Sequence, residues 1–199
     1  MPAPTIYYIR HGETDWNAAG RFQGWQDIPL NARGEGQAGH AGDVLADLLA
    51  RDGREPADLS FVSSPLGRAR TTMARVRAVL GLPADGYTLD DRLREVGYGL
   101  WEGSTLAQMQ ASHPDIFASR EIDKWGVSPP GGESYAALTA RVRDWCEGLT
   151  GDTVAVAHGG TARALMVALG LRTPFEAADI PIEQGAVYVF SAAGLMLYR

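Results

Sequence analysis

Two short runs of the chain end alike, Ile9-Arg10-His11-Gly12 and Val156-Ala157-His158-Gly159. In each, apolar residues stop at an imidazole followed by glycine. This is the pattern of a buried strand presenting a polar group at its C-terminal edge, where open α/β sheets bind ligands. One such histidine reads equally well as a hydrogen-bonded core residue. Two at matching strand ends, one beside an arginine, point to a shared site. A divalent metal fits poorly, because neither histidine lies in a His-Glu-x-x-His helix and Arg10 would repel a cation. An anion fits better. Arg10 and Arg68 can each offer a guanidinium fork to a tetrahedral oxyanion, and Gly12 and Gly159 would let backbone N–H groups approach it. A phosphoryl group suits that pocket best. His40, on a helix, and His113, before Pro114, are read as structural.

The elements that must position these groups alternate between strand and helix. Ile6 to Ile9 forms the opening strand, and the glycine-rich stretch Gly20 to Pro29 reads as a loop over the site. Asn31 is placed to cap a helix reaching about Arg51, with Ala38, Ala41, Leu45 and Leu48 on one face; four glycines weaken it. A strand from Leu59 to Ser63 leads to a helix from Pro65 to about Leu80. An extended piece at Tyr87 to Asp90 follows, then short helices at Thr105 to Ala111 and Asp115 to Ser119. Ser128 to Glu133 must be irregular, since two prolines and two glycines forbid a helix interior. Ser134 to about Leu149 is an amphipathic helix, with Leu138, Val142 and Trp145 at core spacing. Thr153 to Ala157 suits the centre of a sheet covered on both faces, and a helix from Thr161 to Leu169 follows it. Ala186 to Phe190 and Leu195 to Tyr198 form a terminal hairpin.

The chain has 199 residues, enough for one sizeable core, and is read as one domain over 1–199 with an elaboration at about 104–130. Its formal charge of -6 provides no basic stripe for a nucleic-acid partner. No apolar run approaches a membrane span and no signal segment opens the chain, so a soluble cytoplasmic protein is expected. Cys146 stands alone, which excludes an intramolecular disulfide, and it is read as a packed thiol.

Ile9-Arg10-His11-Gly12-Glu13-Thr14, followed by Trp16-Asn17, Gly20-Arg21, Gln23-Gly24 and Asp27, resembles the signature of the histidine phosphatase superfamily, the phosphoglycerate mutase-like proteins. Ser63-Ser64-Pro65-Leu66-Gly67-Arg68, Leu93-Arg94-Glu95 with Gly99-Leu100-Trp101-Glu102-Gly103, Pro130-Gly131-Gly132-Glu133-Ser134 and Val156-Ala157-His158-Gly159-Gly160 resemble further blocks of the family in the family's order. The resemblance implies a three-layer α/β/α sandwich, with a mostly parallel central sheet and a C-terminal antiparallel hairpin. It implies that His11 is a nucleophile that becomes phosphohistidine. His158 would complete the phosphate pocket as a protonated donor, and Glu95 would be the general acid and then the general base. Without it, Glu95 reads as a surface residue beside Arg94. Arg10 and Arg68 would stabilise the transferring oxygens with no metal or other cofactor. Asn17 and the backbone at Gln23 and Gly24 would add phosphate contacts, and Arg21 would brace the loop or touch the ligand.

The same resemblance covers mutases and phosphatases. The run after Glu95, Val96 to Gly103, looks like the phosphatase branch, whereas mutases typically continue with a basic, histidine-containing pattern. Residues 104–130 set Arg120 and Lys124 against Asp115, Glu121 and Asp123, which makes no strongly cationic clamp. Trp101, Phe117 and Trp125 would line an apolar leaving-group pocket or pack as core. A metal-independent phosphomonoesterase acting on a small phosphorylated metabolite is therefore expected. A cofactor-dependent phosphoglycerate mutase is the alternative, and a non-catalytic phospho-ligand binding protein comes third.

Overall fold

Four strands run parallel through the middle of the molecule because helices return the chain each time to the same edge. The computed structural model describes residues 4–199. In chain order its elements are β1 (Ile6–Arg10), α1 (Asp15–Ala18), α2 (Ala32–Arg51), β2 (Ser60–Ser63), α3 (Gly67–Val79), β3 (Thr88–Leu89), α4 (Leu106–Ser112), α5 (Pro114–Ile122), α6 (Tyr135–Glu147), β4 (Thr153–Ala157), α7 (Gly159–Ala168), α8 (Pro174–Ala177), β5 (Val187–Ser191) and β6 (Gly194–Tyr198). The sheet order is β3-β2-β4-β1-β5-β6. The pairs β3-β2, β2-β4 and β4-β1 are parallel, and β5 and β6 close the sheet antiparallel.

Strand alternation sorts the core into two layers. Tyr7, Ile9, Val154 and Val156 face one side, where they pack with Leu45 and Leu49 of α2 and Met73 and Val76 of α3. Ile6, Tyr8, Ala155 and Ala157 face the other, against Leu138 and Val142 of α6 and Leu165 and Met166 of α7. This is the expected three-layer sandwich. Because β1 and β4 are covered on both faces, their sequences are continuous apolar runs.

Most expected elements form, and the differences have local causes. Two short helices stand where none was read. α1 is fixed by a capping box between Thr14 and Asn17, and α8 by one between Thr173 and Glu176. α3 begins at Gly67, two residues later than Pro65 suggests, where Asp27 Oδ1 accepts the Gly67 N–H at 2.8 Å. α7 begins at Gly159 rather than Thr161, so both glycines after His158 are helical. α2 runs unbroken despite its glycines. A Cβ at Gly34 would stand 2.1 Å from the Glu13 carbonyl oxygen, and one at Gly12 would stand 2.2 Å from that of Gly34. Gly12 is therefore required where the turn after β1 crosses α2, and its N–H donates to Thr72 Oγ1 at 3.1 Å. That corrects its expected role as a ligand contact.

Candidate active site

β1 and β4 are neighbours in register, with Arg10 opposite Ala157. The next residue on each strand is a histidine, so the two imidazoles meet edge-on with centroids 5.1 Å apart. Both are buried, at 2% and 0% exposure. His11 Nδ1 lies 2.7 Å from the Gly12 carbonyl oxygen. An oxygen there can only accept, so Nδ1 carries the proton and Nε2 keeps its lone pair. That lone pair accepts a long hydrogen bond, 3.3 Å, from Arg68 Nε. Burial first, then Arg68 and Arg10, push the His11 pKa well below its ordinary value. The ring is neutral, with its Nε2 lone pair directed at Arg68.

Arg68 belongs to the first turn of α3. Its other nitrogens donate to the Gln26 and Gly24 carbonyls at 2.7 and 2.8 Å, so the fork expected to face the ligand is partly spent on the loop. Arg10 donates Nη1 to the Ile182 carbonyl at 2.7 Å, while its buried Nε has no partner among the described residues. Burial lowers the pKa of both arginines.

His158 Nε2 pairs with Ser64 Oγ at 2.7 Å. Ser64 Oγ also accepts the Leu66 N–H at 3.4 Å. The other ring nitrogen, His158 Nδ1, is buried and has no partner among the described residues, as is the case for Gln23 Oε1. The expected protonated His158 is opposed by its surroundings. Burial first, then Arg68, His11 and Arg10, drive its pKa well below the ordinary value.

Glu95 is half-buried, not the surface residue that its pairing with Arg94 would suggest; Arg94 pairs instead with Asp91. The Glu95 carboxylate accepts from the Val96 N–H at 2.9 Å and from the Gly160 N–H, in the first turn of α7, at 3.1 Å. Its carbonyl takes the Trp25 indole N–H at 2.8 Å and Arg141 Nη2 at 3.1 Å. Arg141 is itself held by Glu133 at 2.7 Å, which gives the Pro130 to Ser134 block a structural purpose.

One cavity of about 240 Å³ has Arg10, His11, Asn17, Gln23, Gly24, Arg68, Glu95 and Gly159 in its wall, whereas His158 is fully buried edge-on to His11 and does not line it. Asn17 accepts from Thr14 and Gln184 through Oδ1. Arg21 also lines the cavity, and it braces the loop by donating to the Gly103 carbonyl at 2.6 Å. Trp101, Phe117 and Trp125 do not reach the wall. Trp101 is buried in the core, with Phe117 and Trp125 packed against that core, and Phe22 and Tyr98 supply the aromatic surface instead. No residue of 104–130 lines the cavity. His40 is exposed on α2, and His113 Nδ1 accepts the Trp101 indole N–H at 3.1 Å. Burial pushes the Cys146 thiol up to about 12.

Four wall or support residues escaped the sequence reading. Arg163 is one turn beyond Gly159 on α7 and so on the same face, a spacing that could have found it. Its Nε donates to the Ile180 carbonyl at 2.9 Å and Nη1 to Tyr135 Oη at 3.4 Å. Ser64, Tyr8 and Tyr98 left no comparable signal. Among the described residues, no group of three or more His, Cys, Asp or Glu side chains converges as a metal site, and no helix is long and apolar enough to cross a membrane.

The profile of the histidine phosphatase superfamily (branch 1) matches residues 6–194. The chain belongs to that superfamily. It is 37% identical over 183 residues to a glucosyl-3-phosphoglycerate phosphatase of Mycobacterium tuberculosis, covering 85% of this chain and 76% of that one. It is 32% identical over 195 residues to a 2,3-bisphosphoglycerate-dependent phosphoglycerate mutase of Beijerinckia indica, covering 93% and 90%. Among solved structures, that of mycobacterial glucosyl-3-phosphoglycerate phosphatase superposes with a TM-score of 0.78 at 31% identity, covering 94% of this chain and 89% of the other. An enzyme of the histidine phosphatase type follows.

Proposed function

We propose that this enzyme is a metal-independent phosphomonoesterase that hydrolyses a small phosphorylated metabolite through phosphohistidine on His11. The observation that carries the reading is the tautomer of His11, whose Nδ1–H is spent on Gly12 while the Nε2 lone pair faces a guanidinium-lined cavity. The ester phosphate sits with its oxygens among Arg10 and Arg68, beside the His11–His158 pair, where the start of α7 also favours an anion. Nε2 attacks phosphorus, the P–N bond forms, the ester P–O bond breaks, and Glu95 gives its proton to the departing alkoxide. Glu95, now a carboxylate, takes a proton from water. The hydroxide attacks phosphorus, the P–N bond breaks, and phosphate leaves with His11 neutral again. Asn17, Gln23, Gly24 and Gly159 complete the binding wall.

Arg163 supports a narrower substrate class. It adds a guanidinium to a wall that already holds Arg10, Arg21 and Arg68 and that also includes Phe22 and Tyr98. Two relatives are named for phosphoglycerates, and in the 3-phosphoglycerate unit of the first the phosphate ester has a carboxylate two carbons away. A carboxylate at that distance suits Arg163, so the preferred substrates are phosphorylated small hydroxy acids, free or glycosylated. Phosphate release is favoured over transfer, because residues 104–130 bring no second cationic clamp to the cavity.

The test is to incubate the purified enzyme, without added metal, with p-nitrophenyl phosphate and with 3-phosphoglycerate, the latter with and without 2,3-bisphosphoglycerate. Free phosphate from both, abolished by His11→Ala, is expected. Rapid isomerisation of 3-phosphoglycerate with little release would establish the mutase instead. Silence in both assays with phosphate still bound would leave a binding protein.

A further inference from the structure

The second histidine is set in place by a phenol from the neighbouring strand. We propose that Tyr8 is a positioning residue for His158, and that its hydroxyl holds the strand-to-helix elbow on which the direction of that imidazole depends. The inference rests on the phosphoryl-transfer reading of the cavity.

Tyr8 is fully buried, and its side chain lies on the α6/α7 side of β1. It stands opposite Ala155, three residues before His158, so the phenol reaches along β4 to the elbow. There Tyr8 Oη donates to the His158 carbonyl at 2.6 Å and accepts the His158 N–H at 3.0 Å. Both polar groups of one residue's backbone are thus tied to a single hydroxyl.

The elbow needs such a partner. The sheet ladder stops at Ala157, whose carbonyl takes the His11 N–H at 2.9 Å. His158 then occupies the N-cap position of α7 in an extended conformation, but its side chain makes no capping bond because it points to Ser64. Its carbonyl is shared with the Ala162 N–H at 3.0 Å, whereas its own N–H has Tyr8 Oη as its acceptor. Without that hydroxyl, a buried N–H would lose its partner at the residue whose ring packs edge-on against His11. A phenylalanine would keep the ring, including its edge contact with Phe190 at 6.2 Å, and remove only the tie.

The experiment is a double-mutant cycle on the full chain, with Tyr8→Phe, His158→Asn and the pair read by kcat for p-nitrophenyl phosphate and by orthovanadate affinity. Tyr8→Phe alone should lower kcat roughly ten- to hundred-fold, the range expected for an orphaned buried donor. In the His158→Asn background it should cost less than about two-fold, because the group it serves is gone. Equal losses in both backgrounds would reduce Tyr8 to general support of the fold and overturn the proposal, as would wild-type behaviour of the single variant. Should Tyr8→Phe fail to fold, amide exchange in the wild-type protein decides. The His158 N–H should exchange as slowly as the β4 core, and exchange at an open-loop rate would overturn the tie. An inactive wild-type enzyme would sink the phosphatase reading alone, since vanadate affinity still reports the cycle.

Discussion

A guanidinium that gives only part of its donor set to the protein is available to a ligand. Arg163 spends Nε on Ile180 and Nη1 on Tyr135, and has no protein partner for Nη2 among the described residues. Burial opposes its charge, but the phenols of Tyr135 and Tyr98 and the carboxylate of Glu95 more than offset this, and its pKa lies above the ordinary value. It therefore stays cationic. Substituting Arg163→Met should lower kcat/KM for 3-phosphoglycerate roughly ten- to hundred-fold, the worth of one charged hydrogen bond. p-Nitrophenyl phosphate has no carboxylate, and its turnover should change by no more than about two-fold. Parallel losses on both substrates would remove Arg163 from substrate discrimination and make it part of the phosphate pocket.

At the scale of elements, two glycines in contact with the site make opposite predictions. A Cβ on Gly160 would meet Glu95 Oε1 at 2.3 Å, the oxygen that accepts the Val96 N–H, so the carboxylate must move. Gly160→Ala should change stability by no more than about 1 kcal/mol, since the helix preference of alanine offsets the disturbed Glu95 hydrogen bonds. It should also displace the proposed acid and lower kcat on alkyl phosphates by roughly a hundred-fold, with a smaller loss on p-nitrophenyl phosphate, whose leaving group needs no proton. A Cβ on Gly34 would instead meet backbone, so Gly34→Ala should cost about 1–3 kcal/mol in denaturant titrations, with activity following the folded fraction. Much of this layout was legible beforehand. The apolar runs of β1 and β4 and the amphipathic faces of α2 and α6 are patterns of side chains that the sequence displays directly. What was hidden depends on backbone groups. The carbonyls of Gly24, Gln26, Ile180 and Ile182 hold three arginines, and no residue type advertises a carbonyl. The glycines opening α7 and crossing α2 look like helix breakers until the neighbour that requires them is known. Trp101 admitted two readings because an aromatic next to a motif looks the same whether it faces the cavity or the core, and the structure puts it in the core.

For the whole molecule, the site imposes a cost that pH should expose. A chain of net charge -6 buries two histidines beside Arg10 and Arg68, and burial together with those cations lowers both imidazole pKa values. In the unfolded chain each titrates near 6.5, approximately the ordinary value. Above that pH, both states hold neutral rings and stability is fully present. As pH falls below it, the unfolded chain takes up protons that the native protein refuses, so stability is lost. The slope should approach 1.4 kcal/mol per pH unit for each histidine, or roughly 2.7 for the pair, until the native pKa values are reached. Urea unfolding at pH 7.5, 6.5 and 5.5 measures this, with little change over the first step and a clear fall over the second. Inorganic phosphate should oppose the fall. It binds only the native state, and its charge favours the imidazolium form, so the acid slope should shrink as its concentration rises. Stability that is level or increasing from pH 6.5 to 5.5 without phosphate would mean that the native pocket accepts protons as readily as the unfolded chain. The guanidiniums would then not be keeping His11 in its nucleophilic form.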